Sequence, residues 1–123
     1  MEFQFERLEV WQKSKQLVMN TYRMLEKFPK YEQYALCDQL RRAVISIPSN
    51  IAEGNGRTSV KEQIHFLEIA FGSLMEVYCQ LNIASELGYI SVEEFNKIKD
   101  DILEISRMIS GLRNSKQKKL SNP

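Results

Sequence analysis

Proline and glycine are scarce in this sequence, three and five among 123 residues. A fold of many strands needs a turn about every eight to twelve residues, so the shortage of breakers favours a helical class before any periodicity is read. No apolar run approaches the roughly 20 residues that span a bilayer. The opening MEFQFERLEVW has acidic residues where a secretion signal needs a basic start and an apolar run. The expected location is therefore cytoplasmic, with no membrane partner. There are only two cysteines, Cys37 and Cys79, each inside a helical pattern beside apolar neighbours. They are read as small buried hydrophobes rather than a disulfide or a ligand pair.

Histidine is rarer still: His65 is the only one. A di-metal centre in a helical bundle needs two Glu-x-x-His elements plus a glutamate from each of two further helices. Glu62-Gln63-Ile64-His65 supplies one such element, and a second cannot be written. A cysteine or serine nucleophile needs a base beside it, and His65 is the single imidazole on offer. The chain has no Gly-x-Ser-x-Gly elbow, phosphate-loop glycine pattern or dinucleotide fingerprint. The expectation is no enzyme activity, no cofactor, no metal and no small-molecule substrate. Gly54-Asn55-Gly56-Arg57 could cradle an anion ahead of a helix, but a two-glycine loop of this kind reads first as a turn.

What the sequence does have is apolar periodicity. With 43% hydrophobic and 27% charged residues, the length suits one core. A first helix is expected over about 6–27 on Leu8, Trp11, Val18, Tyr22 and Leu25, with Lys15 filling the gap, and Phe28-Pro29 ends it. A second is expected over 31–53 along Leu36, Leu40, Ala43, Val44, Ile47 and Ile51. Pro48 lies within it and should bend it, because the amide that would bond Val44 is missing. Gly54-Asn55-Gly56 stops this helix with residues that tolerate positive φ. The third helix, 59–87, opens on a Ser59/Glu62 capping box and is apolar over most of its circumference. Three partner helices leave part of that surface uncovered, which predicts a homo-oligomer. The fourth, 91–114, is capped by Ser91 and carries a heptad ladder of Phe95, Ile98, Ile102, Ile105, Ile109 and Leu112. Short connections make consecutive helices antiparallel, so the fold expected is all-α, an up-down-up-down four-helix bundle over 1–115. Residues 116–123 read as a basic, disordered tail.

Charge is +1 overall but unevenly spread. From Arg107 onward there are Arg113, Lys116, Lys118 and Lys119 and no acid. Such a run either holds a phosphate backbone or solubilises a terminus at the negative end of a helix. Along the second helix Arg42, Ser46, Asn50 and Glu53 share a face that continues to Arg57, and Glu68, Ser73 and Glu76 interrupt the third. Ser46, Asn50, Glu53, Glu68 and Glu76 are expected to form a buried polar network that fixes helix register and satisfies the carbonyl freed by Pro48. A ligand or partner site is the other reading.

The residues also resemble a known family. Leu8-x-Val10-Trp11-Gln12, Gln39-Leu40-Arg41-Arg42-Ala43 and Ser46-Ile47-Pro48-Ser49-Asn50-Ile51-Ala52-Glu53-Gly54 with Gly56-Arg57 carry the likeness. Glu68-Ile69-Ala70-x-Gly72-Ser73-x-x-Glu76 and Ala84-x-x-Leu87-Gly88-Tyr89 complete it. The pattern is similar to the proteins encoded by intervening sequences of bacterial 23S ribosomal RNA genes, also called S23 ribosomal proteins, and covers about Phe5 to Leu112. The resemblance implies a helical bundle, often a pentameric ring, without established enzymatic activity. A related branch serves diversity-generating retroelements and is basic, from which this near-neutral chain departs. An RNA contact would therefore concentrate on Arg41, Arg42, Arg57, Lys116, Lys118 and Lys119. The function expected is a non-catalytic oligomer associated with RNA or ribonucleoprotein; the alternative is a protein-interaction scaffold or assembly factor without a nucleic-acid role.

Overall fold

The computed structural model describes residues 1–121, and among these it contains four α-helices and no strand. They are α1 (Glu9–Leu25), α2 (Leu36–Asn55), α3 (Val60–Glu86) and α4 (Val92–Ser121), with 3-10 turns at Gln4–Arg7 and Lys30–Glu32. No described helix is long and apolar enough to cross a membrane.

The caps follow local chemistry. Ser59 Oγ accepts the Glu62 amide at 3.3 Å to start α3. At α4 the exchange is reciprocal: Ser91 Oγ accepts the Glu94 amide at 3.0 Å and Glu94 Oε1 accepts the Ser91 amide at 3.2 Å. Gly88, φ +80°, turns the chain out of α3 and is the single positive-φ residue described.

The glycines after α2 work differently from the expectation. Gly54 and Asn55 are still helical, and Gly56 closes the helix at φ −85°. Gly54 serves close packing: a Cβ there would sit 2.8 Å from Phe66 Cβ on α3.

The core is one apolar cluster. α2 supplies Cys37, Leu40, Ala43, Val44, Ile47 and Ile51, and α4 supplies Phe95, Ile98, Ile102, Ile105 and Ile109, all buried. Each fully buried leucine or isoleucine contributes about 1.5–3 kcal/mol against exposure; Leu36 and Leu112, expected in these two lines, are half-buried at the edge of the cluster. Side-chain contacts link the helices. Ser46 meets Ser73 and Gln39 meets Gln80 across α2 and α3. Gln63 meets Lys116 across α3 and α4, and Lys27 meets Glu94 across α1 and α4.

Three further expectations change. On α1 the buried line is Val10, Ser14, Leu17, Thr21 and Leu25; of the residues the sequence suggested, Leu8, Trp11 and Val18 are half-buried and Tyr22 is exposed. The rotation occurs because small hydroxyl residues fill two core positions, Ser14 donating to the Val10 carbonyl at 2.7 Å. Cys37 is buried, and burial pushes its thiol up, but Cys79 is exposed on the outer face of α3. Finally, α4 does not end near Asn114 but runs to Ser121. Gly111 faces open space and is tolerated, and the lysine-rich last turns suit the helix's negative end. Positions 122 and 123 of the expected tail lie outside the described residues.

Candidate functional site

The six candidate phosphate contacts do not converge on one place. Arg41 is half-buried and committed: its guanidinium donates to the Gln33 carbonyl at 3.1 Å, Asp38 Oδ1 at 3.0 Å and Gln33 Oε1 at 2.7 Å. It pins the 3-10 turn after α1 to the start of α2. Arg42 is exposed and pairs with no carboxylate among the described residues. Both lie some 15 positions before Arg57, about 22 Å along a helix, and belong to the other end of the bundle.

Arg57, Lys116, Lys118 and Lys119 do share an end. Arg57 leaves α2, pairs with Glu53 at 2.6 Å and Glu62 at 3.6 Å, and lies over the Phe66 ring at 4.8 Å. Gln63 joins the two helices there: its Nε2 donates to the Arg57 carbonyl at 2.6 Å, and Lys116 Nζ donates to its Oε1 at 2.9 Å. Partial burial, then the neighbouring charge of Lys119, lowers the Lys116 ammonium below its ordinary value. Lys118 and Lys119 are exposed on the last turn of α4.

Sequence reasoning left Lys61 out and took His65 only as part of an incomplete metal element. Lys61 and His65 follow Arg57 at four-residue steps, a spacing that could have flagged them. With Ser59, Glu62 and Phe66 they and Arg57 line an open depression of about 520 Å³. His65 sits edge-on to Phe66 at 5.6 Å. Arg113 lies 3.9 Å from Glu68, and its Nε is buried without an acceptor. The arrangement presents cations and a half-buried aromatic ring at the positive end of α3, chemistry suited to phosphate and base. Glu53 and Glu62 offset part of that charge.

The polar network is smaller than expected. Asn50 Nδ2 donates to the Ser46 carbonyl at 2.8 Å and to Ser46 Oγ at 2.9 Å, and Ser73 Oγ bonds Ser46 Oγ at 2.9 Å. These bonds reach Ser46 rather than the Val44 carbonyl that Pro48 leaves without an amide. Glu76 is exposed and stands apart from this cluster, bonded only to Gln80, whose Nε2 donates to Glu76 Oε2 at 3.2 Å and to Gln39 Oε1 at 3.0 Å. Gln80, a buried residue that the sequence reading left out, keeps an unpaired Oε1.

Glu53 and Glu68 are not part of this seam. Their side chains are 54% and 53% exposed and pair with Arg57 and Arg113. A long glutamate on the rim of an interface reaches water more cheaply than it desolvates. Among the described residues no three histidine, cysteine, aspartate or glutamate side chains gather as a metal site would require.

Known proteins share this fold. The model of the family described as 23S rRNA-intervening sequence protein matches residues 6–111. A crystal structure from Bacteroides thetaiotaomicron VPI-5482, a protein of unknown function from the S23 ribosomal protein family, is 25% identical. It superposes with a TM-score of 0.75 over 85% of this chain and 97% of its own. No curated protein matches the sequence.

Proposed function

Because the chain belongs to the 23S rRNA-intervening sequence protein family, we propose that it is a non-catalytic, self-assembling up-down-up-down bundle that holds RNA or ribonucleoprotein at one end. The observation that carries the RNA reading is the end of the bundle where α3 begins and α4 finishes. There Arg57, Lys61, Arg113, Lys116, Lys118 and Lys119 gather, and the run from Arg107 onward contributes no acid. Opposed contacts between neighbouring helices support the up-down order, and they also bring these two termini together. The cytoplasm is the compartment that fits an RNA partner.

One subunit offers few unneutralised cations. In an assembly each recurs once per copy, so a weak patch becomes multivalent. The support for assembly is the apolar surface α3 leaves uncovered: Ile69, Met75 and Ile83 stay 37%, 37% and 47% exposed.

Filter binding of a single-stranded RNA tests the proposal at two salt concentrations. Affinity should fall steeply with salt, because each phosphate contact releases counterions. Deleting residues 116–123 removes three lysines and should flatten the log–log slope by about 2 per contacting subunit. The fold should survive, since α4 has no buried residue beyond Ile109.

A second reading, a scaffold for proteins, is favoured by the carboxylates already paired with Arg41 and Arg57. Absence of RNA binding by the intact chain at low salt would select it.

A further inference from the structure

We propose that the outer seam of α3 in one subunit docks into the groove between α1 and α2 of a second copy, joining subunits head to tail. This rests on the self-assembly reading above and names the two surfaces that carry it.

The seam is built like a coiled-coil edge. Ile69, Gly72, Glu76, Cys79, Ile83 and Glu86 follow one another at alternating steps of three and four, and all six face solvent. Gly72 sits at a point where a Cβ would meet nothing within 4 Å. Nothing inside the subunit requires glycine there, although glycine weakens a helix interior. A second backbone or a bulky side chain approaching from outside would use the space.

The groove is the complementary shape. Phe5, Trp11, Val18, Ile45, Pro48 and Ala52 line a depression of about 380 Å³. Trp11 is held by Phe5, edge-on at 5.1 Å. This is the α1 face that the apolar periodicity marks as a contact surface, yet the subunit's own helices leave it half open. Ile45 remains 43% exposed at its rim.

Charge decides which surface meets which. From Glu62 to Ser91 the chain contains no lysine or arginine, only the acids Glu62, Glu68, Glu76 and Glu86. From Val10 to Met24, and again from Gln39 to Ala52, it contains no acid, only Lys13, Lys15, Arg23, Arg41 and Arg42. Lys15 lies over Trp11 at the groove, and neither it nor Arg42 pairs with a carboxylate among the described residues. Glu76 and Glu86 on the seam likewise pair with no described cation. Two α3 seams face to face would set acid against acid with no base between them. Seam against groove sets Glu76 and Glu86 against Lys15 and Arg42. Unlike surfaces make a heterologous contact, which closes as a ring when the rotation permits.

Light scattering after size exclusion tests the pairing on the native chain, Ile83→Asp, Ile45→Asp and an equal mixture of the two. Each variant alone should run as a folded monomer, with helical circular dichroism unchanged. The mixture should form a dimer, because the seam of Ile45→Asp and the groove of Ile83→Asp are both intact. A second measurement avoids disruptive substitutions. Ser49→Cys at the groove should cross-link to Cys79 of another subunit under mild oxidation, giving a ladder that the native chain does not give. An Ile45→Asp chain that stays assembled, or native subunits linked Cys79 to Cys79, would overturn the head-to-tail pairing while leaving self-assembly standing. A native chain that is monomeric would overturn both.

Discussion

Glu53 and Ile105 mark the two extremes of what a single side chain contributes. Glu53 is half exposed and bonded to Arg57, itself 41% exposed, and such pairs are worth about 0–1 kcal/mol. Glu53→Ala should therefore shift the denaturant midpoint by less than about 1 kcal/mol equivalent. Ile105, 1% exposed within the α4 ladder, should cost about 2–5 kcal/mol as alanine. Urea titrations of the two variants check both figures, and a large Glu53 effect would restore it to the buried network. Glu94 offers a pH test. The hydrogen bond from Lys27, then the Ser91 amide, holds its carboxyl below the ordinary value of about 4.3. With the folded value depressed, its contribution is present above the unfolded value and is lost as pH falls through the folded one. Melting curves from pH 6 down to pH 2 should fall more steeply for the native chain than for Glu94→Gln. Parallel curves would place that carboxylate outside the stability balance.

Among the elements, α3 carries the clearest conflict between helix and assembly. In the monomeric Ile45→Asp background, Gly72→Ala should raise stability by up to about 1 kcal/mol, the ordinary gain for alanine in a helix interior. In the native background Gly72→Leu should lower the assembled fraction, since it fills the space a partner would occupy. If Gly72→Leu assembles as well as the native chain, the seam contacts lie elsewhere. The same helices explain what could be read beforehand. α4 was legible because its ladder repeats without a gap and its outer side is charged. α1 was misread because Ser14 and Thr21 occupy core positions, and a hydrophobic count gives a hydroxyl no credit for being small. The line it gave instead, through Trp11 and Val18, is a half-buried apolar face packed against the edge of the core. The end of α4 was misplaced because Gly111 and Asn114 look like stops. They face open space, and the Lys- and Gln-rich turns that follow continue the helix. At the candidate site the cations were legible and their commitments were not. Whether Arg41 is available depends on Asp38, one turn earlier on α2, and on Gln33, placed by a 3-10 turn that no periodicity announces.

At the scale of the whole molecule a net charge of +1 conceals a sorted surface. Acid lies along the outer face of α3, base along α1 from Val10 to Met24 and α2 from Gln39 to Ala52, and a further basic cluster sits where α3 begins and α4 ends. Sorted charge on a near-neutral chain suits copies of itself first and a polyanion second, because only repetition makes the basic end strong. Self-assembly is thus the premise on which the RNA reading and the head-to-tail pairing both stand. Light scattering of the native chain at micromolar concentration measures it directly. The account predicts a molar mass several times the 14.4 kDa of one chain, and a mass of 14.4 kDa would contradict it.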